Sequence, residues 1–109
     1  MQIEELNNFT KLFDVYGKLL SKKQHDVMDK FLNLDLGETE LAELQGESRQ
    51  SVHDAISKAK KQLLDFEEKC GVVKNNQICK NNLEKVKVFL SQNRNDDAID
   101  LIEETSNSL

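Results

Sequence analysis

The stretch Gly37–Lys61, GETELAELQGESRQSVHDAISKAKK, is punctuated like two helices joined by a tight turn. Helices that cross so closely need a small residue where they touch and a residue tolerant of positive φ between them. Ala42, followed four positions later by Gly46, meets both needs. Ser48 is placed to cap the second helix. Val52 and Ile56 share one face of that helix and predict its buried side, which leaves Arg49, Gln50 and His53 to point outward. The pattern points to recognition rather than catalysis.

Charge sharpens this reading. Residues 1–47 hold five Lys against ten Asp and Glu, whereas residues 48–62 set Arg49, Lys58, Lys60 and Lys61 against Asp54 alone. Residues 63–109 return to six basic against nine acidic side chains. One positive strip on a body of net charge −5 is the footprint expected of a single contact surface for an anionic partner such as DNA or RNA. A Lys-rich solvated helix has the same composition, and an overall pI near 5.0 opposes strong non-specific phosphate binding.

With 109 residues, no Pro, four Gly and abundant Leu, Lys, Glu and Asp, the chain predicts an all-α fold. No apolar run approaches the roughly 20 residues that span a bilayer, and the first residues form neither a basic nor an apolar leader, so the expected location is cytoplasmic without membrane insertion. Cys70 and Cys79 have no nearby His or third Cys for a zinc site and predict reduced, partly buried thiols. His25 and His53 are the only imidazoles, and there is no Gly-rich phosphate loop or nucleophile elbow. The expectation is a protein that is not an enzyme and uses no cofactor or metal, with His25 facing solvent.

Working outward from the turn, Ile3, Leu6, Phe9, Phe13, Tyr16 and Leu20 predict a first helix from about Glu4 to about Leu19. Ser21-Lys22-Lys23-Gln24 forms a capping box for a second helix, with Val27, Met28, Phe31 and Leu32 inward and a stop at Asp35-Leu36-Gly37. The short third helix turns Leu41, Ala42 and Leu44 inward. The fourth is long: Val52, Ile56, Ala59, Leu63, Phe66 and Cys70 make a continuous seam until Gly71. After a polar loop, Val72 to Gln77, a fifth helix carries Leu83, Val86, Phe89 and Leu90; Asn93 to Asp96 break it. A sixth buries Ala98, Ile99 and Ile102, with a frayed tail from Thr105. Residues 1–71 then form a helix-turn-helix domain and 72–109 a helical extension packing on it. The far half of the fourth-helix seam needs a partner, either the C-terminal helices or a second copy in a homodimer anchored by Leu63 and Phe66.

The segments Leu20–Gln24, GETELAEL, Ser48-Arg49-Gln50-Ser51-Val52 and Asp54-Ala55-Ile56 together resemble sigma factor region 4, a winged-helix-like DNA-binding class without the wing. More closely, the chain resembles the YlxM-like family of small bacterial helix-turn-helix proteins, whose genes lie beside that of the signal recognition particle GTPase. The resemblance implies an accessory or regulatory role in that targeting pathway, with the GTPase or its RNA, or DNA, as partner. Contact would fall to Ser48, Arg49, Gln50, His53, Lys58, Lys60 and Lys61. On duplex DNA, Arg49, Gln50 and His53 would meet base edges; on RNA, the lysines would hold the backbone. A transcriptional regulator and a protein-binding helical adaptor are the alternatives. Where the family has apolar residues flanking the turn glycine, this chain has Gln45 and Glu47. These predict a more open turn with Leu44 swung inward, and a carboxylate close to any approaching phosphate.

Overall fold

A chain without proline and with few glycines has little to interrupt helix, and the computed structural model, which describes residues 2–109, is helical almost throughout. Helix α1 spans Ile3–Tyr16 and runs into a 3-10 turn, Gly17–Leu19; α2 spans Lys22–Asn33, α3 Glu38–Gln45, α4 Arg49–Cys70, α5 Val72–Ser91 and α6 Asn95–Asn107. No strand occurs among the described residues. The fold is all-α, in two compact units, Met1–Cys70 and Gly71–Leu109.

In the first unit α1, α2 and α3 all pack on α4, and α2 also meets α1 and α3. Val52, Ile56, Ala59 and Leu63 form its buried stripe, against Phe9, Leu12, Phe13 and Tyr16 of α1, Val27, Met28 and Leu32 of α2, and Leu41 and Ala42 of α3. The α1 stripe is shifted from the expected one: Leu12 joins the core while Ile3 is exposed. The α-helix also stops at Tyr16 instead of near Leu19. The Phe13 ring lies against Gly17, where a Cβ would sit 3.0 Å from it, so the chain tightens around the ring. The same ring takes His25, at 4.9 Å between centroids, which makes that imidazole half-buried instead of solvent-facing.

The Ser21 half of the expected α2 capping box forms, with Ser21 Oγ accepting from the Gln24 backbone N–H at 3.2 Å. The far half of the α4 seam finds part of its partner in α1. The Tyr16 ring is 6.0 Å from that of Phe66, and the Tyr16 hydroxyl donates to Glu67 Oε1 at 2.6 Å. Leu63 is 0% exposed, so it offers no surface to a second copy, and Cys70 is exposed rather than partly buried.

The second unit is a helical hairpin. Gly71, at φ +64°, makes the break by itself, and α5 begins at Val72, so the expected loop over Val72 to Gln77 is helix. The Asn75 N–H already bonds the Gly71 carbonyl at 2.9 Å, and no second helix breaker follows. The reversal centres on Asn93 at φ +59°, with Arg94 stacked over the Phe89 ring at 4.6 Å and paired to Asp97 at 2.8 Å. On α6 the buried residues are Ala98 and Thr105, whereas Ile99 and Ile102, expected inside, are 52% and 48% exposed. Ala98 and Thr105, one heptad apart, mark the buried face of α6, and the isoleucines flank it. Thr105 is no frayed end: its hydroxyl donates to the Leu101 carbonyl at 2.7 Å and accepts from Asn82 Nδ2 at 3.0 Å.

Leu63→Ala should lower unfolding stability by about 2–5 kcal/mol in urea titrations, as befits a fully buried leucine, and Phe66→Ala by less, since that ring keeps some solvent contact.

Candidate nucleic-acid interface

The turn between α3 and α4 decides what the second helix presents. Gly46 sits in the left-handed region at φ +66°, and the Glu47 N–H closes back onto the Ala42 carbonyl at 3.0 Å. This is a closed helix C-cap of the kind glycine favours, not the more open turn anticipated from Gln45 and Glu47. Leu44 does not swing in; it is 63% exposed. Gln45 and Glu47 instead keep an inward orientation toward α2 by acquiring polar partners. Gln45 Nε2 donates to Asp26 Oδ2 at 3.2 Å, and Glu47 Oε1 pairs with Lys23 Nζ at 2.8 Å. The other Glu47 oxygen is buried with no hydrogen-bond partner.

Ser48 Oγ then accepts from the Ser51 N–H at 3.0 Å, starting α4. With Val52, Ile56, Ala59 and Leu63 facing the core, the ridge on the opposite side of α4 is Gln50, Asp54, Ser57 and Lys61, all exposed. Of the three side chains expected at base edges, only Gln50 stands on that ridge, donating through Nε2 to Asp54 Oδ1 at 2.9 Å. Arg49 and His53 lean toward α3, where both meet Glu38. His53 Nδ1 is 2.9 Å from one carboxylate oxygen and Arg49 Nε 3.8 Å from the other.

The lysines divide as well. Lys60, expected among the solvated cations, lies over the rings of Phe9 and Phe31 at 5.3 and 5.6 Å and faces Glu5 at 4.0 Å. Its charge is engaged within the first unit, and its side chain is only 25% exposed. Among the described residues no ion pair engages Lys58 or Lys61. Lys58 shares a groove between the starts of α2 and α4 with Ser21, Lys23, Gln24, Ser48, Gln50 and Asp54. The structure thus brings Ser48, Gln50 and Lys58 to one groove, places Arg49 and His53 beside it with Gln50, and holds Lys60 apart. Glu38 and Lys23 were missed because their roles rest on tertiary contacts. Asp54 was legible, since it lies opposite the buried stripe in any helical projection of the segment.

Among the described residues no group of three or more His, Cys, Asp or Glu is placed to hold a metal ion, and no helix is long and apolar enough to cross a membrane. The α3–turn–α4 geometry, with a left-handed glycine, a capped second helix and an exposed polar ridge, defines a helix-turn-helix protein.

Comparison with known proteins makes this specific. Residues 3–105 match the UPF0122 family, described as "Putative helix-turn-helix protein, YlxM / p13 like". A UPF0122 protein of Thermoanaerobacter sp. (strain X514) is 35% identical over 104 residues, covering 92% of this chain and 89% of its own. One from Clostridium acetobutylicum is 34% identical over 106 residues, covering 94% and 91%, and one from Clostridium novyi is 32% identical over 111 residues, covering 98% and 96%. The chain belongs to the UPF0122, YlxM / p13-like family.

Two outcomes follow from the turn. Gly46→Val should cost about 1–2 kcal/mol, measured by denaturant titration, because a Cβ there meets no atom within 4 Å and the penalty comes from the backbone conformation alone. The double variant Gln45→Leu, Glu47→Val should raise the melting temperature, since it removes a buried oxygen without a partner at the expense of a Lys23 pair that is half solvated.

Proposed function

We propose that this protein is a non-catalytic, cytoplasmic accessory or regulatory component of the signal recognition particle pathway that acts by docking its helix-turn-helix on nucleic acid. The pathway rests on the family resemblance; the mode of action rests on the exposed ridge of α4 opposite its buried stripe. Duplex DNA suits that ridge best. A protruding helix fits the major groove of a B-form duplex, whereas the deep, narrow groove of A-form RNA excludes it. Ser48 and Lys58, with Lys22 at the positive end of α2, would hold phosphates, Lys61 would follow along the ridge, and Lys23 would join on leaving Glu47. Arg49 and His53 would contribute after exchanging Glu38 for phosphate. In this reading residues 1–71 are the binding domain and 72–109 an extension of it.

A second reading, docking on a basic surface of the signal recognition particle GTPase, is favoured by the carboxylates of Glu38 and Asp54 beside Gln50 and by the net charge of −5.

The deciding experiment is fluorescence anisotropy of the full chain against a DNA duplex, the particle's RNA and the GTPase. Duplex binding should weaken with salt along a shallow slope of roughly −2 to −4, because only about four cations are available to displace counterions. Arg49→Glu should weaken it at least about tenfold with helicity unchanged, by placing a second carboxylate beside Glu38 at the contact. Binding to the GTPase alone, insensitive to Arg49→Glu, would replace the nucleic-acid reading with the protein-docking one.

A further inference from the structure

Asp54 is the one acidic side chain among residues 48–62, and it stands on the ridge of α4 that faces away from the core. A carboxylate there repels phosphate, so its place on a nucleic-acid-binding ridge calls for a partner that donates hydrogen bonds. In the major groove the donors are the exocyclic amines, N4 of cytosine and N6 of adenine, while guanine and thymine offer acceptors at O6 and O4. Asp54 does not stand alone. Gln50, one turn earlier, donates to its Oδ1 at 2.9 Å. That bond orients the Gln50 amide, leaving its carbonyl oxygen and second N–H for a base, and leaves Asp54 Oδ2 open as an acceptor.

The geometry points to Gln50 and Asp54 as a coupled base-reading pair, in which Asp54 selects cytosine through its N4 amine and Gln50 reads the neighbouring base. The inference rests on the duplex-DNA reading given above and deepens it. It also shifts the base-contacting role from Arg49 and His53, which Glu38 holds to the side, to a residue opposite the core. Ser57 and Lys61 continue the same ridge and leave room for further contacts along the groove.

The test is selection of a randomised DNA duplex pool by the full-length protein at low salt, with sequencing of the bound fraction. The wild type should enrich a motif with one position at which cytosine is favoured over guanine and thymine by roughly tenfold. Asp54→Asn keeps the side-chain shape, removes the charge and supplies a donor. It should still bind duplex and should change that position from cytosine to adenine, which an Asn amide matches at N6 and N7. Gln50→Ala should degrade the adjacent position and blur the cytosine preference. An enriched motif that both variants reproduce unchanged would overturn the reading pair while leaving duplex binding in place, as would wild-type binding without sequence preference. Failure to retain any duplex would overturn the duplex-DNA reading and this inference together. Circular dichroism of each variant separates loss of preference from loss of fold.

Discussion

The burial of Val52, Ile56, Ala59 and Leu63 is the contact on which the rest of this molecule depends. Each of the three larger side chains contributes about 1.5–3 kcal/mol on leaving water. All four lie on one helix that α1, α2 and α3 share as a neighbour. Without α4 the three would keep only the smaller α1–α2 and α2–α3 contacts and lose the stripe they all pack on. The same contact sets the rotation of α4 about its own axis, so it also decides which side chains face outward: Gln50, Asp54, Ser57 and Lys61 stand on the ridge because the stripe opposite is buried. Fold and candidate interface are therefore two faces of one helix.

Electrostatics refines what that ridge offers. A cluster of four cations in residues 48–62 looks strongly basic in a linear count, but Arg49 meets Glu38 and Lys60 sits on aromatic rings beside Glu5. What remains is a mildly positive, largely polar surface with a carboxylate at its middle. Such a surface binds weakly through phosphate alone and gains selectivity from directional hydrogen bonds. The Arg49 and His53 side chains are largely exposed where they meet Glu38, so exchanging Glu38 for another partner costs little.

Much of this was legible along the chain because local chemistry produced it. Ser21 and Ser48 cap helices through hydrogen bonds to residues three positions on, and Gly46 closes its turn through the conformation of a single residue. The α4 stripe was legible for the same reason, as periodicity is a property of one helix. The misplacements arose where two elements meet. Leu44, expected inward through a more open turn, is exposed, because Lys23 and Asp26 on α2 give Glu47 and Gln45 polar partners and the turn stays closed. Ile99 and Ile102, expected inward on hydrophobicity, flank the hairpin contact, whose buried α6 residues are Ala98 and Thr105.

The existence of six helices, the Ser21 and Ser48 caps, the left-handed turn at Gly46 and the buried side of α4 could be read along the chain, because each follows from interactions within about one helical turn. The sequence also carried the membership of the UPF0122 family, through the order of those pieces along residues 3–105. Which cations remain available depends on how the helices pack, because Glu5 and Glu38 reach Lys60 and Arg49 from other helices, 55 and 11 positions away. Charge pairing across such distances in the chain depends on how helices are brought together, and no local pattern encodes it.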